Sequence, residues 1–148
     1  MNVLVDTNII LDVWLRRGEL FQSSAAVLAM VAEQQVKGYL GATTLTTLFY
    51  VARRELGTAA TLSQISTLTK FFEVAPVGRA VVADALAMPF DDFEDAVLHE
   101  AARHAGCEAI VTRNVADFTL GTLAVHAPEQ FVTMARMSLH EKAPRPYR

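Results

Sequence analysis

The residues of this sequence best suited to chemistry are carboxylates that arrive in three separate stretches. They are Asp6 in Val-Leu-Val-Asp-Thr-Asn (3–8), Asp95 in Asp-Asp-Phe-Glu-Asp (91–95) and Asp117 in Ile-Val-Thr-Arg-Asn-Val-Ala-Asp (110–117). If the fold brings them together, like charges at close range repel and raise one another's pKa. Mg2+ or Mn2+ relieves that repulsion, because these hard cations take carboxylate oxygens and keep several waters, and a retained water is a nucleophile for attack on phosphorus. Thr7, Asn8, Thr112 and Asn114 are placed to orient such ligands by hydrogen bonds, and Arg113 is a candidate phosphate contact.

Each of these residues also has an ordinary reading. Asp6 can simply cap a helix, and the acids at 91–95 can complement a helix dipole, with Asp91 or Asp92 as the cap. Glu94 reads as a fold-supporting residue beside Asp95, Asp117 as a turn residue and Arg113 as half of a surface salt bridge. Asp12 and Asp84 fall inside helical patterns and are expected to face solvent. What separates these readings is whether the secondary structure delivers the three aspartates to one place.

Stepping along the chain, Val3-Leu4-Val5 is apolar on consecutive residues and too short for a helix, which suits a strand covered on both faces. Asp6 then stands at its carboxyl end, the edge of a parallel sheet where ligands bind. Thr7 and Asn8 can cap a helix whose apolar side begins with Ile9, Ile10 and Val13, and Phe21 to Val36 repeats apolar residues at helical spacing. A short strand at 38–41, a helix running through Arg54, a helix from Leu62 to Phe72 and a strand at 73–77 follow. A helix at 79–87 stops before Met88-Pro89; another starts in 91–95 and ends at Gly106. Ala109 to Thr112 and Leu123 to Val125 are the last strands, and Pro128 opens a short helix with Phe131, Met134 and Ala135. Short strands alternating with helices give an α/β fold, a parallel sheet with helices on both sides. The expected organisation is one domain over residues 1–137 and a tail over 138–148.

With 148 residues, 52% of them hydrophobic, and a mean hydropathy of +0.27, the chain suffices for one substantial core. No run of about 18 apolar residues suggests a membrane span, and the first residues lack a basic segment followed by an apolar one, so a cytoplasmic protein is expected. The single Cys107 has no cation beside it and is expected to be structural. The four histidines show no pairing with cysteine and no His-Glu-x-x-His spacing, which gives zinc little support. A net charge of −3 argues against holding nucleic acid by general attraction, although a divalent cation on clustered carboxylates reverses the sign locally.

Taken together, the stretches at 3–12, 92–97 and 110–118 resemble the PIN-domain family, in particular its VapC-like toxins of bacterial toxin–antitoxin pairs, and the likeness spans residues 1 to about 126. The resemblance implies a three-layer, flavodoxin-like α/β/α fold and a Mg2+- or Mn2+-dependent ribonuclease cutting single-stranded RNA. Such proteins are often dimeric and often held inactive by a small antitoxin. Asp6 and Asp95 match the family's first and central metal-binding acids, and Asp117 matches the acid of its Arg-Asn-x-x-Asp-Phe form. Asn114 stands where other members carry the last acid, which leaves that ligand divided between Asn114 and Asp117. Many members also carry a glutamate early in the helix after the second strand, where this chain has Thr47. That departure implies weaker activity, a water in the glutamate's place, or no activity.

Two other functions fit parts of the pattern. A catalytically impaired PIN-like binding protein accommodates Thr47, while the three aspartates oppose it. A phosphoryl-transfer domain with an aspartyl nucleophile expects a second acid two residues after Asp6, where the chain has Asn8, or an acidic pair with a lysine on a late strand. Neither arrangement is present.

Overall fold

The computed structural model describes residues 1–144, and within them five parallel strands form one sheet in the order β3-β2-β1-β4-β5. The strands are β1 (Asn2–Val5), β2 (Lys37–Gly41), β3 (Glu73–Ala75), β4 (Ala109–Val111) and β5 (Ala124–His126). The helices are α1 (Thr7–Trp14), α2 (Leu20–Ala32), α3 (Ala42–Leu56), α4 (Thr58–Phe71), α5 (Arg79–Leu86), α6 (Phe93–His104) and α7 (Pro128–Lys142). A single 3-10 turn, Val115–Phe118, follows β4.

Strand β1 takes the centre because its side chains serve both layers. Val3 and Val5 join Ile9, Ile10, Val27, Leu48 and Phe131 in one core, built with α1, α2, α3, α4 and α7. Leu4 faces the other way and packs with Ile110, Ala96, Leu98 and Phe118 in a second core, built with α5 and α6. The alternation of period two along an all-apolar strand is what a sheet covered on both sides requires. The expected three-layer α/β/α fold is the one observed.

Register fixes where chemistry can occur. Val5 lies opposite Val111 across the β1–β4 pair, so the two strands end together. The ladder then continues one step beyond both strands, with Asp6 N donating to Val111 O at 3.0 Å and Thr112 N to His126 O at 3.0 Å. Close approach of a helix to this edge depends on Gly41, since a Cβ there would stand 2.5 Å from Leu98 Cδ2 on α6.

Two expectations about the chain's course differ from what is observed. The final helix is longer than the short one expected, and it takes in residues 138–142 of the anticipated tail. Its start is fixed by Pro128 and by Gln130 Oε1 accepting from Ala127 N, Phe131, Val132 and Ala135 anchor it in the core, and no helix breaker intervenes before Lys142. The rest of that tail, 145–148, lies outside the described residues. Asp12, expected in solvent, is fully buried on α1. It sits three residues after Ile9, on the face that packs inward, and its charge is met by Arg113 Nε at 2.8 Å, Ser24 Oγ at 3.0 Å and Arg17 at 3.7 Å.

Candidate active site

Asp6 is the N-cap of α1, in extended backbone with φ −72° and ψ 154°, and its Oδ1 accepts from Thr7 N at 2.7 Å. Its other oxygen, Oδ2, accepts from the Thr112 hydroxyl at 2.8 Å and from Asn8 Nδ2 at 3.2 Å. The cap expected of Asp6 is therefore present, and it leaves the second oxygen directed at the end of β4. Thr112 Oγ1 in turn accepts from Asn114 N at 3.0 Å, and Asn8 Oδ1 accepts from Arg113 N at 3.3 Å. The ends of β1 and β4 are thus stitched together by the side chains of Asp6, Asn8 and Thr112. Thr7 acts elsewhere through its side chain, where its hydroxyl donates to Thr44 Oγ1 at 3.1 Å and ties α1 to α3.

Asp95 occupies the first turn of α6, capped by Asp92, whose Oδ1 accepts from Asp95 N at 3.2 Å. Asp117 lies in the 3-10 turn after β4, exposed, with its backbone N donating to Asn114 O at 3.0 Å. Electrostatics shows that the three acids share one field. The half-buried Asp95 carboxyl is pushed up to about 7, first by desolvation and then by the charges of Asp92, Asp6, Asp117 and Glu94. Asp6 is also raised, chiefly by burial and further by Asp117; hydrogen bonds from Thr112 and Thr7 and the charge of Arg113 oppose that shift. The side chain of Asn114 makes no hydrogen bond among the described residues; its backbone places the turn that carries Asp117.

Arg113 is the cation nearest these acids, but Asp12 holds it. The pair is 2.8 Å apart, although the Nε–H does not point along that line, so the contact is an ion pair and not a formed hydrogen bond. Glu94 projects from α6 toward α3, with Oε1 at 3.5 Å from Thr47 Oγ1.

The donor set suits a hard divalent cation. It is all oxygen and short of positive charge, and neither the Asp95 nor the Asp117 carboxylate accepts a protein hydrogen bond among the described residues. Among the described residues the three acids do not bring their ligand atoms within 4.8 Å of one another. A second group, Asp84, Glu100 and His104, does bring its ligand atoms within 4.8 Å. There a cation is already in place, since Arg103 contacts Glu100 at 2.7 Å and Asp84 at 2.8 Å, and a metal would compete with that guanidinium. The group reads as an ion-pair network fastening α5 to α6.

Sequence reasoning missed two residues that support the site. Thr44 is the buried partner of Thr7. His99, fully buried on α6 one turn after Asp95, accepts at Nε2 from Thr122 N at 3.0 Å and Leu123 N at 3.3 Å, which leaves the proton on Nδ1 facing Glu100 Oε1 at 3.1 Å. It clamps the segment that leads from the Asp117 turn into β5. Cys107 is buried as expected, its thiol pushed up to about 11 by desolvation and then by Glu108.

Comparison with known proteins bears on the same elements. A family model described as "PIN domain" matches residues 2–116. The chain is 25% identical over 134 residues to Ribonuclease VapC1 of Aquifex aeolicus (strain VF5), covering 87% of this chain and 92% of that protein. Among solved structures, VapBC2 from Rickettsia felis bound to a promoter DNA fragment superposes with a TM-score of 0.68 at 13% identity, covering 86% of this chain and 98% of its own. A toxin–antitoxin complex from Klebsiella pneumoniae gives 0.63 at 22% identity, with 85% and 97% covered. At these identities the solved structures attest the fold.

Proposed function

The chain belongs to the PIN-domain family, and from that premise we propose that it is a metal-dependent endoribonuclease, the toxin of a toxin–antitoxin pair. The observation that carries this reading is the shared field of Asp6, Asp95 and Asp117, three acids from separate stretches whose nearest guanidinium, Arg113, is held by Asp12, at the sheet edge where ligands bind. The ribonuclease named among its relatives and the toxin–antitoxin complex among its structural neighbours support the substrate and the partner.

Asp6, Asp95 and Asp117 would hold Mg2+ or Mn2+, which supplies positive charge for a phosphodiester oxygen and an acidified water for in-line attack. Asp6 offers this ligand in a fixed direction, because Thr7 N, the Thr112 hydroxyl and Asn8 lock both of its oxygens. Asp95 and Asp117, unbonded and more open, are free to turn toward the ion and to accept protons from waters around it. Support for Asp117 over Asn114 as the last ligand comes from its charge acting on both other acids. Arg113, partly exposed beside Asp6, has terminal guanidinium nitrogens for a phosphate while its Nε stays with Asp12. On this reading the protein acts in the cytoplasm, with RNA as substrate, a small antitoxin as partner and a homodimer as the working form. Among the described residues no helix is long and apolar enough to cross a membrane.

A second reading, a PIN-like binding protein that no longer cuts, is favoured by Thr47 alone. Incubating purified protein with single-stranded and structured RNA in Mn2+ or EDTA, beside Asp95→Asn, separates the two. Cleavage that requires Mn2+ and is lost in the variant supports the nuclease; RNA retained uncut by parent and variant alike supports the binding protein.

A further inference from the structure

The side of the acidic cluster that faces α3 has no carboxylate of its own. The helix begins Ala-Thr-Thr-Leu-Thr-Thr, and its first acid is Glu55, near its far end. Of its hydroxyls, that of Thr44 is buried and bound to Thr7, and that of Thr47 stands at the rim. Across from Thr47 is Glu94 of α6, exposed, with its Oε1 at 3.5 Å from the hydroxyl. Thr47 has one proton to give and a nearer acceptor in Thr43 O at 3.2 Å, so Glu94 is directed toward α3 without being fixed there by a strong bond. A carboxylate kept only to complement the α6 dipole has no reason to lean across to another helix. The close α3–α6 approach is built in, because Leu98, one turn after Glu94 on the same face of α6, packs where a side chain at Gly41 would be.

We propose that Glu94 is the fourth carboxylate of the centre, delivered from α6 to the α3 side to supply the charge that Thr47 lacks. This rests on the reading of the cluster as a divalent-cation nuclease site. Glu94 would then hold the ion, or one of its waters, from the α3 side. Its charge already reaches Asp95. Thr47 serves as the neutral wall against which that carboxylate rests.

The test is Mn2+ affinity measured by titration calorimetry on the whole chain, with circular dichroism to confirm the fold of each variant. Glu94→Gln should weaken Mn2+ binding about tenfold, the low end for losing a carboxylate that orients a metal site. Adding Thr47→Glu to Glu94→Gln should restore most of that loss, since the charge returns at the same place from the other helix. A role in α6 stability alone gives no such rescue. Parental affinity in Glu94→Gln while Asp95→Asn loses binding would overturn the proposal and leave the centre standing, as would a loss that Thr47→Glu does not recover. Equal affinity in the parent and Asp95→Asn would overturn the centre itself.

Discussion

Removing the charge of Asp95 should stabilise this protein when no metal is bound, and only at a pH where the carboxyl is otherwise ionised. Its folded-state pKa of about 7 stands above the ordinary 3.8, so the folded form holds a proton that the unfolded chain has released across that interval. Stability therefore falls as pH rises from about 4 to about 7 and is flat above. At face value the shift corresponds to about 4 kcal/mol against the ionised form. Asp95 is half open to solvent, and screening leaves about 1–2 kcal/mol of that. Asn also forfeits the favourable charge in the first turn of α6, about 0.3–1 kcal/mol, so the net gain is about 1 kcal/mol. For a chain of this size that is a rise of about 2–4 °C in Tm.

Urea unfolding of parent and Asp95→Asn in EDTA, at about pH 8 and about pH 4, tests the sign as well as the size. The gain should be present at the higher pH and absent at the lower, where Asp95 is already neutral. Mn2+ at about a hundred times its Kd should then add about 2.7 kcal/mol to the parent and little to the variant, which reverses their order. A variant no more stable than the parent in EDTA at about pH 8, or equally favoured at both pH values, refutes the argument that Asp95 is held against its neighbours' charge.

Asp6→Asn should behave in the opposite way although it removes the same charge. Both oxygens of Asp6 accept from donors, and an amide NH2 placed against Thr7 N or Thr112 costs about 1–3 kcal/mol, to be seen as a lower urea midpoint in EDTA. A raised midpoint would mean that repulsion outweighs the lost acceptor. Arg113→Ala strands the buried Asp12 and should cost about 3–5 kcal/mol, with much of it recovered in Arg113→Ala/Asp12→Asn; additive losses in the double variant would deny the pairing. Gly121→Ala sets a Cβ against the His99 ring and should lower stability by about 1–3 kcal/mol while speeding hydrogen exchange at Thr122 and Leu123. Unchanged exchange at those amides would show that His99 does not hold the segment.

The candidate centre is legible in the sequence because its signals are local. Val3-Leu4-Val5 followed by Asp6 contains both the strand and its end, and the acids of 91–95 contain both a helix start and a candidate ligand. The parallel sheet follows from alternation alone, and the order of strands then decides which ends are neighbours. What stayed hidden depends on partners distant in the chain. Asp12 reads as solvent-facing until Arg113, about a hundred residues later, is placed against it. His99 shows nothing in Val-Leu-His-Glu that foretells two backbone donors from residues 122 and 123. The reach of α7 is hidden for a different reason, since basic residues and prolines at the end of the chain read as a tail although the residues just before them continue the helix to Lys142.

Two of the three aspartates stand at the starts of helices, Asp6 as the cap of α1 and Asp95 in the first turn of α6, while Asp117 is the third residue of a four-residue 3-10 turn. Backbone N–H groups and helix dipoles favour negative charge at Asp6 and Asp95 by about 0.3–1 kcal/mol each. That contribution lets the acids converge without unfolding the sheet edge, but it is smaller than the burden placed on Asp95, whose carboxyl remains raised. The division of labour follows from this inequality. The acid with the most donors, Asp6, is fixed and organises β1, β4 and α1 with or without an ion. The acids with no side-chain partner keep the unmet demand for positive charge, and that demand is where binding free energy for a cation can come from.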